Sequence, residues 1–253
     1  MERDWRAAFE ETYAGSPSRV QERVWRDVLG SEYPVGLDPS SWVAVSELER
    51  FARELRVGPG NTLVDLGCGR GGAGLWVAAA LGARLVGIDI AQAALETARA
   101  RARAMELAAD FRRGSFESTG LNDGEADAMM SVDALLFTPS KAAAFAELRR
   151  TLRPGGRLVF TSWDYHRQPA GRPPQVDDHR PLLAAAGFET DAYEETEDWL
   201  DRQRRTLQGL LDACEELAAE SGASVEQTRA FWEEMFGTLD TITRRVLVVA
   251  TAA

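Results

Sequence analysis

The residues with the clearest chemical potential form a glycine-rich turn at 65–72. The turn reads Asp-Leu-Gly-Cys-Gly-Arg-Gly-Gly, so its first three glycines stand at alternate positions. An apolar run at 61–66 leads into the turn, and helix-forming residues at 73–81 follow it. A strand that passes into a helix through glycines lets a ligand contact bare backbone, and the helix N-terminus offers unpaired N–H groups. The pattern therefore predicts a site for a nucleotide-like cofactor.

An acidic residue at the end of the next strand supports this prediction. The apolar run 84–89 ends in Asp89, which lies 18 residues after Gly71. A carboxylate at that position accepts hydrogen bonds from ribose hydroxyls, whichever adenosine cofactor is bound. The glycines do not discriminate between cofactors either, because the turn fits both the dinucleotide fingerprint G-x-G-x-x-G and the pattern D-x-G-x-G-x-G.

Three features favour S-adenosylmethionine over a dinucleotide. The glycine pattern begins only at residue 65, after a long helical segment, whereas many dinucleotide domains open with it. Asp65 precedes the first glycine by two residues, and a carboxylate there can meet the cationic amino group that S-adenosylmethionine carries and NAD lacks. A further Arg-Pro-Gly-Gly turn at 153–156 precedes the apolar strand 157–163 and is not a phosphate loop.

Taken in order, these motifs resemble the class I S-adenosylmethionine-dependent methyltransferases, and in particular the small-molecule branch of natural-product pathways. The matched segments are 64–71, 86–89, 126–133 and 152–160. The resemblance implies an α/β, Rossmann-like sheet of seven strands in the order 3-2-1-4-5-7-6, with the last strand antiparallel. The cofactor would lie across the carboxyl ends of the first and fourth strands, where the strand order reverses.

The resemblance also implies a set of cofactor-binding residues at four strand ends. The first turn would face the methionine portion, the acid after the second strand would hold the ribose, and the residues that follow the second and third strands would contact adenine. Gly69 and Gly71 would allow a close backbone approach, and Ser131 would line the sulfonium side. The full set is Asp65, Gly67, Cys68, Gly69, Gly71, Asp89, Ile90, Ser115, Phe116 and Ser131.

The sequence departs from the family pattern after the third strand. Many members carry an acid there that binds the adenine amine, whereas this chain has Gly114-Ser115-Phe116. Ser115 could supply one hydrogen bond and Phe116 could stack on the ring. The adenine contact is therefore the part of the site that the resemblance specifies least.

Two residues beyond strand ends are candidates for a general base. His166 follows the fifth strand, and a histidine that titrates near neutrality suits the removal of a proton from a hydroxyl. Asp133 follows the fourth strand and could orient an acceptor or accept its proton. Structural interpretations stay open for both, as a solvated loop histidine and as a cap of the following turn.

The remaining elements suggest one compact domain with helical additions. Residues 1–58 predict a helical cap, 59–195 and 241–253 the cofactor-binding core, and 196–240 a helical insertion read as two helices, 196–221 and 224–239. Within the cap, residues 33–42 look like the cofactor-covering segment of small-molecule methyltransferases. We expect the sheet to close without the cap or the insertion, and both to cover an acceptor pocket lined by aromatic residues, drawn from Trp42, Trp163, Tyr165, Trp199, Phe231 and Trp232.

The composition restricts the classes of partner. The 253-residue chain has a formal net charge of −11, which disfavours nucleic acid and anionic membranes. No stretch reaches the ~18–20 apolar residues of a membrane span, and the N-terminus lacks an apolar signal region. Two cysteines and two histidines without ligand spacing predict no metal site, and Cys68 is interpreted as a small residue beside the cofactor. We expect a cytoplasmic protein.

Together these features predict a methyltransferase that moves the methyl group of S-adenosylmethionine to a small, apolar or aromatic acceptor and releases S-adenosylhomocysteine. Such an enzyme would suit natural-product tailoring. Two alternatives stay open at this stage: an NAD-dependent oxidoreductase and a non-catalytic S-adenosylmethionine-binding module. The identity of the acceptor, the methylated atom (O, N or C), the use of a general base and the oligomeric state are also open.

Overall fold

The computed structural model describes residues 4–37 and 41–253 and centres on one seven-stranded sheet. The strands are β1 (Thr62–Leu66), β2 (Arg84–Asp89), β3 (Ala109–Arg113), β4 (Ala126–Val132), β5 (Leu152–Tyr165), β6 (Phe188–Glu195) and β7 (Ile242–Ala252). Their order is β3-β2-β1-β4-β5-β7-β6. The pairs among β1 to β5 are parallel, whereas β7 is antiparallel to both β5 and β6. The predicted order and the antiparallel last strand are confirmed.

Helices cover both faces of the sheet and extend beyond it at the N-terminus and before the last strand. They are α1 (Trp5–Ala14), α2 (Arg19–Leu29), α3 (Val45–Leu55), α4 (Gly72–Leu81), α5 (Gln92–Ala104), α6 (Lys141–Thr151), α7 (Arg180–Ala185), α8 (Trp199–Asp212), α9 (Cys214–Ser221) and α10 (Val225–Thr238). None of the helices in the described ranges is long and apolar enough to cross a membrane.

The two faces of the sheet are both apolar, because each is covered by helices. Successive residues of a strand point to opposite faces. Leu63 of β1 accordingly belongs to the core under α3, α4 and α5, whereas its neighbour Val64 belongs to the core under α6 and α7. This double burial explains why the central strands read as near-continuous apolar runs rather than as alternating patterns.

Helix α3 is part of the main core, although it lies within the predicted N-terminal cap. Leu48, Phe51 and Leu55 are at most 1% exposed and pack in the same cluster as Leu63 of β1. Their spacing places them on one face of the helix. This segment therefore covers one face of the sheet, and whether the sheet closes without residues 1–58 stays a prediction.

The insertion before β7 differs from the two helices that the sequence predicts. The backbone leaves the helical conformation at Ala213 (φ −94°, ψ 16°), so the first predicted helix is divided into α8 and α9. Its apolar face packs on α2, where Val24 and Trp25 join Leu207 and Trp232 in a separate cluster. The insertion and α2 thus bury one another's apolar faces.

The start of β5 also differs from expectation. The predicted turn at 153–156 is an irregular first part of the strand, because the pairing with β4 shifts between Ala126–Leu152 and Ala128–Arg157. The extra residues form a bulge with Gly155 in the left-handed region at φ 73°.

Replacement of Phe51 by alanine tests the role of α3 in the core. The side chain is fully buried, so its removal should lower the free energy of unfolding by about 3–5 kcal/mol. Arg53→Ala, on the exposed side of the same helix, should change the stability little. Denaturant titration of both variants measures the difference, and equal stabilities would show that α3 is a separable cap.

Candidate cofactor and acceptor site

A cavity of about 450 Å³ lies at the carboxyl ends of the central strands. Its floor is built by the glycine turn after β1 and by the segments that follow β2, β3 and β4, while α1, Leu37 and Ser41 lie along its outer side. Strand order reverses between β1 and β4, and open α/β sheets bind ligands at such a point. Residues 38–40 of the predicted covering segment 33–42 lie outside the described residues.

The glycine turn brings bare backbone to the cavity. Gly67 and Gly69 border it, and both have positive φ angles, 68° and 50°. A Cβ atom on Gly69 would lie 3.0 Å from the hydroxyl oxygen of Tyr13 in α1. A side chain at this position would therefore fill the space between the turn and the helix that covers it.

Gly71 has a different role from the predicted one. It does not line the cavity, and a Cβ atom there would lie 3.0 Å from the Cβ of Ala98 and 3.2 Å from Cδ1 of Leu75. Its φ of 79° also starts α4. This glycine therefore permits close packing of α5 against the turn and does not contact the cavity.

Asp65 places a carboxylate at the inner end of the cavity. The residue is 2% exposed, and the backbone N–H of Gly74 in the first turn of α4 donates to it. Burial, and then the charge of Asp89, raises the pKa of Asp65 to about 8. No cation among residues 4–37 and 41–253 pairs with this carboxylate. A ligand with a cationic group is the partner that would stabilise its ionised form.

Asp89 borders the same cavity at the end of β2. Its two oxygens accept hydrogen bonds from the backbone N–H groups of Gly69 (2.8 Å) and Ala91 (2.9 Å). Burial raises its pKa, and these two backbone donors act in the opposite direction. An ionised carboxylate has about four acceptor positions, so Asp89 retains acceptor capacity for a hydroxyl group of a ligand.

The outer part of the cavity has an apolar wall with one carboxylate. Ile90, Ser115 and Phe116 line it, at the positions that the sequence assigned to adenine. Glu117 lines it too and accepts hydrogen bonds from the backbone N–H of Ser140 (3.3 Å) and from the hydroxyl of Thr138. An acidic residue, Glu117, therefore does follow β3, one position after the Gly114-Ser115-Phe116 segment that we compared with the family pattern.

Of two further predicted contacts, Cys68 lies at the cavity and Ser131 does not. The hydroxyl of Ser131 donates to the carbonyl oxygen of Leu66 at 2.9 Å, so this buried residue links β4 to β1 and does not line a sulfonium side. Cys68 does line the cavity, but burial and the charges of Asp65 and Asp89 raise the pKa of its thiol well above the usual range. The thiol is therefore protonated and unsuited to nucleophilic attack.

The two candidate bases occupy different environments. The side chain of His166 is exposed and does not border the cavity, because the chain turns away after β5 and its backbone N–H donates to Thr241. Asp133 borders the cavity at the end of β4 and is 7% exposed. Of the two, only Asp133 lies where an acceptor could reach it.

The aromatic lining comes from residues other than the predicted ones. Trp5, Phe9 and Tyr13 of α1 line the cavity with Phe116 and Phe137. The ring of Phe137 lies 4.8 Å from the rings of both Trp5 and Phe9, measured between centroids.

The six predicted aromatic residues lie elsewhere. Trp42, Trp163, Tyr165 and Trp199 pack with one another around Leu136, Trp232 packs against α2, and Phe231 is 46% exposed. The described part of the insertion 196–240 contributes no residue to the cavity lining. Of the two segments predicted to cover the acceptor pocket, the described part of 1–58 contributes lining residues and 196–240 contributes none.

Part of the chain is similar to known methyltransferases. Residues 64–160 match the family described as "Methyltransferase domain". The methyltransferase GfsG of Streptomyces halstedii is 29% identical over 129 residues, which are 50% of this chain and 46% of that protein. The 24-methylenesterol C-methyltransferase 2 of Oryza sativa subsp. japonica is 34% identical over 117 residues, 46% of this chain and 32% of that protein. The chain thus spans less than half the length of either relative.

Solved structures share the whole fold. The [4+2]-cyclase SpnF superposes with a TM-score of 0.72 and 23% identity, over 96% of this chain and 94% of that one. Geranyl diphosphate C-methyltransferase from Streptomyces coelicolor A3(2) superposes with a TM-score of 0.69 and 17% identity, over 99% and 98% of the chains. At these identities the likeness establishes the fold.

Residues 64–160 are therefore similar to a methyltransferase domain, and S-adenosylmethionine, the cofactor named for one solved structure that shares this fold, can be compared with the cavity. The residues present fit this cofactor. Asp65 offers a buried anion for the amino group, Asp89 offers acceptors for the ribose hydroxyls, and Ile90 and Phe116 offer apolar surface for adenine. The dinucleotide interpretation of the glycine turn, and with it an NAD-dependent oxidoreductase, is not supported.

Replacement of Asp65 by asparagine should stabilise the ligand-free protein at alkaline pH. Because the folded-state pKa is about 8 and the unfolded value is lower, the wild type loses stability as the pH rises from about 4 to about 8. Asparagine cannot ionise, so the melting temperature of Asp65→Asn should exceed that of the wild type increasingly from pH 5 to pH 8.

Thermal unfolding without ligand across this pH range is the measurement. Asp164→Asn is the control, because Asp164 is also buried but has Arg244 as a cationic partner at 2.7 Å, so its loss should destabilise the protein. A difference between Asp65→Asn and the wild type that does not change with pH would contradict the assignment of an unpaired, buried Asp65 carboxyl group.

Proposed function

We propose that this chain transfers the methyl group of S-adenosylmethionine to a small, apolar or aromatic organic acceptor, as a natural-product tailoring enzyme would. One observation carries the proposal. The cavity combines the buried carboxylates Asp65 and Asp89 on its inner side with the aromatic wall of Trp5, Phe9 and Phe137 on its outer side. The first part suits a cationic adenosyl cofactor, and the second suits a flat or apolar partner.

The protein's contribution to the reaction would be alignment and exclusion of water. When bound, S-adenosylmethionine supplies a methyl group made electrophilic by the sulfonium charge. Asp65 would hold the amino group and Asp89 the ribose, which leaves the aromatic wall to orient the acceptor. Alignment of two reactants in one site can supply on the order of 7–11 kcal/mol of the barrier. A base is needed only where the acceptor must lose a proton.

The named relatives support a small acceptor. They include methyltransferases whose names specify a sterol, phosphoethanolamine and tocopherol, and solved structures that contain geranyl diphosphate. These names describe those proteins, and the acceptor of this chain is not among the properties that sequence likeness transfers. The apolar wall favours acceptors of the sterol, tocopherol or terpenoid kind over small polar amines.

Turnover is the test of this proposal. Purified protein is incubated with isotope-labelled S-adenosylmethionine and a panel of apolar phenols, terpenoid alcohols and polyketides, with phosphoethanolamine as a polar comparison. Methylated product from an apolar acceptor supports the proposal. Tight binding of S-adenosylhomocysteine with no methylation of any panel member would favour the non-catalytic module, a possibility that the fold shared with a [4+2]-cyclase makes concrete.

Replacement of Phe137 by alanine should affect the acceptor more than the cofactor. Its ring packs between Trp5 and Phe9 at the outer wall, so its loss should lower kcat/KM for an apolar acceptor roughly ten- to hundredfold. The affinity for S-adenosylhomocysteine should change less than about threefold. Phe231→Ala, on the exposed side of α10, is the control. An equal loss for cofactor and acceptor would place Phe137 outside the acceptor wall.

A further inference from the structure

The carboxylate of Asp133 borders the cavity, but protein donors occupy both of its oxygens. Oδ1 accepts hydrogen bonds from the hydroxyl of Thr161 (2.8 Å) and from Nε of Arg245 (3.1 Å). Oδ2 accepts from the backbone N–H of Trp42 (2.8 Å) and from Nη2 of Arg245 (3.2 Å). An ionised carboxylate has about four acceptor positions. This arrangement uses all of them and leaves none for the proton of an acceptor molecule.

The backbone of Asp133 is held as firmly as its side chain. Its φ is 54°, in the left-handed region that non-glycine residues seldom adopt. The backbone N–H of Asp133 donates to the hydroxyl oxygen of Thr161 at 3.1 Å, and the same hydroxyl donates to Oδ1. Thr161 of β5 therefore fixes both the turn of the chain after β4 and the direction of the carboxylate.

A second carboxylate extends the network to α3. Nη1 of Arg245 donates to Oε1 of Glu47 at 2.5 Å, and Oε2 of Glu47 accepts from the backbone N–H of Ala44 at 2.9 Å. Asp133 and Glu47 thus hold two backbone N–H groups, those of Trp42 and Ala44, in one short segment. Arg245 is 2% exposed and lies between the two carboxylates.

The segment held in this way continues into the cavity wall. Ser41 lines the cavity next to Trp42, and Leu37 lines it on the other side of the undescribed residues 38–40. Leu37 lies against the glycine turn, because a Cβ atom on Gly72 would be 3.1 Å from its Cγ. The position of residues 41–47 therefore helps to set the shape of the cavity.

We infer that Asp133 is a positioning residue that holds residues 41–47, through the N–H of Trp42 and through Arg245, where they bound the cavity. This positioning role replaces the role of general base that the sequence predicted for Asp133. The inference rests on the proposed function only in that this wall would bound the acceptor, and its test needs no acceptor.

Two substitutions of Asp133 distinguish the hydrogen bond to Trp42 from the negative charge of the carboxylate. Asp133→Asn keeps an oxygen that can accept from Trp42, and asparagine tolerates the left-handed backbone. Arg245 keeps Glu47 as a partner in this variant, so no unpaired buried cation results. Asp133→Ala removes the acceptor altogether. Asp164→Asn is the matched control, because Asp164 is fully buried, pairs with the neighbouring Arg244 and does not border the cavity.

Amide hydrogen exchange in the presence of S-adenosylhomocysteine is the measurement. Asp133→Ala should accelerate exchange of residues 41–47 at least about tenfold, and Asp133→Asn should restore most of the protection. Asp164→Asn should lower the melting temperature but leave exchange of 41–47 at the wild-type rate. The inference is overturned if Asp133→Ala exchanges there no faster than the control, or if the asparagine variant is as unprotected as the alanine variant.

A third substitution keeps the test decisive if Asp133→Ala does not fold. Thr161→Val is nearly isosteric and removes the hydroxyl that holds Asp133, so exchange of 41–47 should rise about threefold. Unchanged exchange would overturn the inference. Where an acceptor is turned over, Asp133→Asn should also keep the wild-type pH profile of single-turnover methyl transfer. Loss of a titration step in that profile would identify Asp133 as a base and overturn the positioning role.

Discussion

The site depends on two carboxylates that are buried side by side and that pair with no cation of residues 4–37 and 41–253. Asp65 and Asp89 end the adjacent strands β1 and β2 and border one cavity, and burial raises the pKa of both. Among the described residues, backbone N–H groups compensate them: that of Gly74 for Asp65, and those of Gly69 and Ala91 for Asp89. A ligand that brings a positive charge and hydroxyl donors supplies what the protein lacks there.

The rest of the molecule contacts the cavity from a buried core on one side and from the partly exposed helix α1 on the other. The sheet, α3 and α4 form one continuous core beneath the glycine turn. None of the ten residues of α1 is fully buried. The helix lines the cavity with side chains such as Phe9, and Glu10 attaches it to the start of α5 by accepting from the backbone N–H of Gln92 at 2.7 Å. The turns around Asp65 and Asp89 are thus held by the core, whereas the part of the cavity wall that α1 supplies is held by contacts near the surface.

Local sequence motifs predict the residues at the strand ends of the site, whereas the residues that tertiary packing brings to the cavity could not be predicted. The positions of Asp65, Asp89 and Ile90 follow from strand ends and turns that a short sequence pattern specifies, so the structure places all three at the cavity. The aromatic wall depends on where α1 packs, which its amphipathic pattern does not reveal. The base role of His166 and the lid role of 196–240 were inferred from their places in the chain, and the packing of the insertion on α2 directs it away from the cavity.

The number of protons released when S-adenosylhomocysteine binds tests the central claim most directly. At pH 7 a free Asp65 with a pKa of about 8 is mostly protonated, and pairing with the ligand's amino group requires its ionised form. Calorimetry in two buffers of different ionisation enthalpy should therefore show release of close to one proton at pH 7, which falls toward zero by about pH 9 and is absent in Asp65→Asn. If the wild type and Asp65→Asn bind S-adenosylhomocysteine with equal affinity and the wild type releases no proton, the account is contradicted.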